Sequence, residues 1–213
     1  MDSRLFLPGW GAPASLYAPS LPGSWLALEP PSFAASGGSF REYRRWLDVE
    51  LRDRGRSQLA GHSMGAALAI LAAADSPELV ERLLLIAPAG LPLEKPIRES
   101  VRDFVRQVAR GDYPRRVGAS AVLAFARAPR AALAIAAHVR RLDLRRECAK
   151  IRAAGIPTTV VGCAGDTLVT SANARALAEL LGARYEELDL RGGHMWMLAD
   201  GARFTAVVAR GGC

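Results

Sequence analysis

Three residues of complementary chemistry occur in order along the chain: Ser63 in Gly61-His62-Ser63-Met64-Gly65, Asp166 in Ala164-Gly165-Asp166-Thr167-Leu168, and His194 in Gly192-Gly193-His194. A serine hydroxyl becomes a nucleophile when a base takes its proton, and the base needs an acid to orient it. Ser63 follows the short run Ser57-Gln58-Leu59-Ala60 and precedes Ala66 to Ala74, where every residue is Ala, Leu or Ile. That pattern reads as strand, tight turn and buried helix. A serine on such a turn is pushed out at the end of the sheet. The free N–H groups and positive dipole end of the helix stand behind it. The flanking glycines suit a turn in which a side chain would strike neighbouring backbone. The alternative is an ordinary tight turn in which Ser63 caps the helix.

The chain offers three histidines as the base. His62 adjoins the serine, and its side chain is expected to point away from the active face. His138 lies in an arginine-rich helical stretch. His194 sits on a Gly-Gly turn after the last strand, where a parallel sheet presents its functional loops, and is taken as the base. Asp166 follows the strand that ends at Cys163, at the same sheet edge, and is taken as the acid; an Asx-type turn is its alternative. Asp189 falls inside the last strand, and Asp75 at the far end of the helix behind Ser63. Attack on a carbonyl creates an oxyanion that needs two N–H donors, each worth on the order of 3 kcal/mol of barrier. Met64 supplies one by following the serine, and Trp10 in Pro8-Gly9-Trp10-Gly11 is placed for the other.

These loops need a scaffold. Leu5-Phe6-Leu7 and Trp25 to Glu29 read as short strands, the second closed by Pro30-Pro31. Phe40 to Arg52 carries Tyr43, Trp46, Leu47 and Leu51 at helical spacing. Leu83 to Ala87 and Ile156 to Cys163 are apolar strands, and Arg184 to Leu190 is the last one. Ser171 to Leu181 reads as a helix with Ser171 as its N-cap, and a final helix runs through Phe204 to Val208. Strands alternating with helices, and apolar on both faces, give an α/β fold with a mostly parallel sheet. Residues 92–150 differ: they are arginine-rich and helical in pattern, divided by Pro96, Pro114, Gly118 and Pro129 into three or four helices. The expected organisation is a core of residues 1–91 and 151–213 with a helical lid of residues 92–150 inserted over the sheet.

In this order the motifs resemble those of the α/β-hydrolase-fold serine hydrolases. GHSMG resembles the nucleophile elbow, AGD the acid loop, GGH the histidine loop and PGWGA the oxyanion loop. The resemblance implies a carboxylic ester hydrolase working through an acyl-enzyme, with Ser63, Asp166 and His194 as its triad. The Gly-Trp-Gly loop and small lid further resemble the pimeloyl-acyl-carrier-protein methyl ester esterases and related carboxylesterases. Pro8 stands where the family usually has histidine, so a loop-bracing hydrogen bond is missing. The chain starts at the strand before the oxyanion loop, so a sheet of about six strands without the N-terminal hairpin is expected. Trp25 to Glu29 then forms an exposed edge, which leaves both monomer and dimer open. An acyl thioesterase, a C–C bond hydrolase and a non-enzymatic hydrolase-fold ligand receptor all use the same parts.

Composition narrows the class. At 213 residues, half of them hydrophobic, the chain can bury one substantial core. No apolar stretch has the length of a membrane span, and the first residues do not form a signal peptide. Cys148, Cys163 and Cys213 are widely spaced and odd in number, which favours reduced thiols in the cytoplasm. None has metal-ligand spacing, and no cofactor is expected. The net charge is +7, yet residues 92–150 alone hold fourteen Lys and Arg against six Asp and Glu. Arg98, Arg102 and Arg106 recur at four-residue steps on one helix face. They read either as a capture surface for an anionic carrier, such as an acyl-carrier protein or coenzyme A, or as a solvated face. A nucleic-acid binder lacks a motif here. Leu91, Phe125, Leu168, Met195 and Trp196 are expected to line an apolar pocket for the acyl group, with lid residues such as Val122, Leu123, Leu133 and Ile135.

Overall fold

The computed structural model describes residues 3–93, 95, 96, 98, 99, 102, 103, 106, 109, 110, 115–190 and 192–211. Among the described residues six strands are present: β1 (Ser3–Leu7), β2 (Leu26–Ala27), β3 (Ser57–His62), β4 (Val80–Ile86), β5 (Thr158–Cys163) and β6 (Arg184–Leu188). They form one sheet in the order β2-β1-β3-β4-β5-β6, and each neighbouring pair is parallel. The helices are α1 (Phe33–Ser36), α2 (Phe40–Arg54), α3 (Met64–Asp75), α4 (Arg115–Arg127), α5 (Pro129–Arg140), α6 (Arg145–Ala153), α7 (Ser171–Leu181), α8 (Trp196–Ala199) and α9 (Gly201–Gly211).

The two-residue period of a strand divides the core in two. Leu5, Leu7, Leu59, Leu83, Leu85 and Val160 face one helical layer, built from α2, α3, α6 and α7. Their chain neighbours Phe6, Ala60, Leu84, Ile86 and Val161 face the other, where Tyr17, Trp196, Phe204, Val207 and Val208 cover the sheet. Both faces are therefore dry, as the continuous apolar strands require. Helix α3 consists of Ala, Leu, Ile, Met and Gly with a terminal Asp75, and nearly all of it is buried.

Several boundaries differ from those read in the sequence. Helix α2 continues to Arg54 and stops where Gly55 takes a positive φ of 74°. The N-cap of α7 is Thr170 rather than Ser171; its hydroxyl accepts the Asn173 N–H at 3.3 Å. Strand β2 is two residues long, because Trp25 and Leu28 turn inward on either side of exposed Leu26. It is the edge strand, as expected. Strand β6 ends at Leu188, short of Leu190. The expected boundary at residue 150 falls inside α6, whose Cys148 and Ile151 lie in the first core. Helices α4 and α5 pack on α1. The helical stretch expected after Pro96, and the expected break at Pro114, lie partly outside the described residues, as does Cys213. No single described helix is long and apolar enough to cross a membrane; α4 and α5 reach that length only as a pair bent by 109°.

Helix α3 crosses the end of β1 so closely that a Cβ on Gly65 would collide with the Leu7 carbonyl and stand 2.6 Å from the Pro8 oxygen. Backbone atoms on two elements cannot give way as a side-chain tip can. Gly65→Ala should therefore cost about 1–3 kcal/mol of stability. Denaturant unfolding measures this, and an unchanged midpoint would contradict the packing described.

Candidate active site

In the strand order, β1 has β2 on one side and β3 on the other. The chain thus leaves β1 in one direction and returns in the opposite one, which opens a crevice at the C-terminal strand ends. The loop after β1 and the turn after β3 border that crevice. The turn carries Ser63 at φ 54° and ψ −113°, a backbone conformation that costs a non-glycine residue on the order of 1–3 kcal/mol. The surrounding contacts hold it there. The Ser63 N–H donates to Ile86 O at 3.0 Å, and its carbonyl accepts from Ala67 and Ala89, both at 3.2 Å. Gly61 and Gly65 leave room for the turn: a Cβ on Gly61 would lie 2.6 Å from Ala66 N. Ser63 occupies the N-cap position of α3, yet its side chain makes no cap bond.

The Ser63 hydroxyl instead donates to His194 Nε2 at 2.9 Å. His194 Nδ1–H donates to Asp166 Oδ2 at 2.7 Å. Asp166 is fixed by its own loop: Oδ1 accepts the N–H groups of Leu168 at 2.8 Å and Val169 at 2.9 Å. Its side chain is fully buried, and that of His194 is 12% exposed. Gly192 (φ 95°) and Gly193 (φ 49°) form the turn that delivers His194. The three residues singled out from three distant loops thus meet in one hydrogen-bonded chain. Such a chain can move a proton off the serine and stabilise the imidazolium that forms. Asp189 is exposed and Asp75 pairs with Arg44.

The other expected site residues divide. Met64 opens α3, so its N–H belongs to the first turn, which lacks intrahelical acceptors. Trp10 lies in the loop after β1; its indole N–H donates to Ala132 O of α5 at 3.1 Å, and its ring packs 4.9 Å from Phe33. Leu168 and Met195 are half-buried beside the acid and histidine loops. Trp196 is a correction. It is fully buried in the second core against Phe204, because the turn at Met195 starts α8 and rotates the next side chain inward. Leu91 is buried and borders a groove of about 870 Å³ between α6 and α7. Phe125 stands 39% exposed on α4, with Val122, Leu123 and Leu133 more exposed still, while Ile135 is in the core. Arg98 is exposed, and Arg102 and Arg106 both lie 3.8 Å from Asp103, which also pairs with Lys95.

Sequence reasoning missed two residues. His62 does not turn away; it shares strand parity with Ala60 and so points into the second face. Its ring is 4.8 Å from that of His194. Its Nε2–H donates to the His194 carbonyl at 2.9 Å, and the Tyr17 hydroxyl donates to its Nδ1 at 2.9 Å. Burial, then the charge of His194, hold His62 well below the ordinary histidine value. Burial also raises the Tyr17 hydroxyl. The parity of β3 was the signal for His62; Tyr17, in the turns between β1 and β2, had none. Cys148 and Cys163 are buried free thiols, the former pushed up to about 12 by burial, so neither is a thiolate nucleophile. Among the described residues no group of three His, Cys, Asp or Glu could hold a metal ion.

Comparison with known proteins agrees with this architecture. The chain belongs to the alpha/beta hydrolase family, whose model matches residues 5–207. Members of this family are hydrolases. The fold is similar to that of an esterase from Exiguobacterium antarcticum, at 14% identity and TM-score 0.74 over 100% of this chain and 93% of that one. It is also similar to the N-formylmaleamic acid deformylase of Pseudomonas putida S16, at 16% identity and TM-score 0.74 over 98% and 92%. The enol-lactonase of Burkholderia xenovorans LB400 gives 19% identity and TM-score 0.69 over 99% and 92%. At these identities the likeness concerns the fold. No curated protein sequence matches the chain.

The buried state of His62 has a measurable consequence. An unfolded chain protonates this residue below about pH 6.5, whereas the folded one keeps it neutral. The unfolded state then binds more protons, so stability falls as pH falls, by up to about 1.4 kcal/mol per pH unit. His138, lowered by burial against Phe40, acts in the same direction. The stability advantage of wild type over His62→Gln should shrink between about pH 7 and pH 5. An advantage that stays constant across that window would contradict the assignment.

Proposed function

We propose that this protein is a serine hydrolase that cleaves a carboxylic ester through an acyl-enzyme. The observation that carries the reading is the chain from the Ser63 hydroxyl through His194 to Asp166, at 2.9 and 2.7 Å, on a strained turn at the sheet's switch point. Ser63 Oγ bonds to the ester carbonyl carbon as its proton passes to His194 Nε2. The carbonyl oxygen becomes an oxyanion that accepts from the N–H groups of Met64 and Trp10. The C–O bond to the alcohol breaks, and His194 returns the proton to the leaving oxygen. Water then attacks the acyl-enzyme, with the same histidine as base, and Ser63 regains its hydrogen. Asp166 accepts from Nδ1 and so keeps it as the protonated nitrogen.

A small uncharged ester is the substrate class proposed. The carrier alternative needs free arginines, and two of the three gather on Asp103. A thioesterase or a C–C bond hydrolase would use the same machinery on another acyl bond, and sustained turnover of p-nitrophenyl esters separates any of these from a ligand receptor, which releases at most one equivalent. The two buried free thiols fit a cytoplasmic protein.

Ser63→Ala should lower kcat on p-nitrophenyl acetate by about 10⁴-fold or more while the protein stays folded. Asp166→Asn should cost about 10⁴-fold by favouring the wrong tautomer of His194. Asp189→Asn, on an exposed residue, should leave the rate near wild type. Steady-state kinetics with circular dichroism check all three, and a Ser63→Ala protein as active as wild type would sink the reading.

A further inference from the structure

Pro8 carries no side-chain donor to brace the loop after β1, the loop that supplies Trp10 in the proposed reaction. The same loop passes close to His62: a Cβ on Gly9 would stand 2.7 Å from the His62 Nδ1. Tyr17 also meets the His62 ring; it is fully buried, with its ring 4.9 Å from Phe6 and 6.2 Å from Phe204. The Gly9 backbone packs against the His62 ring, whose Nδ1 is also the partner of the Tyr17 hydroxyl. The His194 carbonyl beside Nε2 can only accept, so Nδ1 of the neutral ring accepts the Tyr17 hydroxyl proton, at 2.9 Å. With Nδ1 accepting, the ring proton of His62 must be on Nε2, and it donates to the His194 backbone carbonyl at 2.9 Å. Each donor in this series has one acceptor, and the directions agree from end to end.

We propose that Tyr17 and His62 are positioning residues: together they form a hydrogen-bonded bridge from Tyr17 to the His194 backbone, with the Gly9 backbone packed on the His62 ring, that sets the loop after β1 and the histidine loop at a fixed separation around Ser63. The proposal rests on the reading of Ser63 and His194 as nucleophile and base. The bridge acts on the backbone of His194, whereas Asp166 acts on its ring, so the two constraints are independent. Neutrality of the bridge follows from its role. His194 becomes cationic in each half-reaction, and a second cation 4.8 Å away would oppose that. Burial of His62 keeps the neighbouring ring uncharged.

The test uses Tyr17→Phe, which removes the hydroxyl and keeps the ring in its aromatic packing, with His62→Leu, His62→Gln and the Tyr17→Phe/His62→Leu double variant. Turnover of a p-nitrophenyl ester gives kcat and KM. Proton NMR of the free protein reads the low-field His194 Nδ1–H, which needs no substrate. Tyr17→Phe should lower kcat about 10- to 100-fold with KM within about twofold, as expected for a misplaced reacting group. The low-field proton should shift or broaden. The double variant should be no slower than His62→Leu alone, because one bridge is broken once. His62→Gln, which keeps a donor for the His194 carbonyl, should recover part of the loss. Additive losses, or a Tyr17→Phe protein with wild-type kcat and an unmoved proton, would overturn the bridge. If Ser63→Ala turns over the ester like wild type, the hydrolase reading fails on its own, and the NMR shift still decides the bridge.

Discussion

The backbone at Ser63 is the constraint on which the rest of the molecule depends. A φ of 54° on a serine persists only where its surroundings leave no alternative. Those surroundings are the carbonyl of Ile86 on β4, the first turn of α3, and the passage of α3 over the end of β1. Removing the side chains at Gly61 and Gly65 lets backbone meet backbone, and the sheet register then aims the hydroxyl into the crevice between the ends of β1 and β3. The strain is local, and the two dry cores on either side of the sheet oppose its release.

The electrostatics of the site follow from unequal burial. Asp166 is buried but has its acceptors occupied by two backbone N–H groups and by His194, so its charge is compensated. His62 is buried with a hydroxyl and a carbonyl as partners, which suit a neutral ring. Of the three, His194 is the most exposed, at 12% of its side chain. Two histidines with rings 4.8 Å apart therefore differ: His62 is buried and held neutral, and His194 bonds Ser63 and Asp166.

The sheet and the three hydrogen-bonded side chains Ser63, His194 and Asp166 were legible because each is marked by strong local signals. Apolar runs of strand length, a helix of small residues and paired glycines at two turns leave few other folds. A mostly parallel sheet followed from that pattern, and among the described residues every neighbouring pair of strands is parallel. What escaped lies where tertiary packing overrides local sequence. Trp196 follows a loop histidine, yet the geometry of Met195 sends it into the core. Thr170 caps a helix that Ser171 was expected to cap, since a one-residue shift leaves the pattern unchanged. His62 was read from its place beside Ser63 instead of from its parity with Ala60. Tyr17 reaches the site across 45 residues of sequence, and nothing local announces such a contact.

The central claim is that Ser63 attacks the substrate and carries its acyl group. Rapid acid quench during turnover of a slowly hydrolysed p-nitrophenyl ester, followed by intact mass and peptide mapping, tests it most directly. The account expects one acyl group per chain, on the peptide that contains Ser63, appearing with the burst of p-nitrophenol and decaying at the steady-state rate. Continued hydrolysis with no acylated peptide, or with the acyl group on another residue, would contradict it.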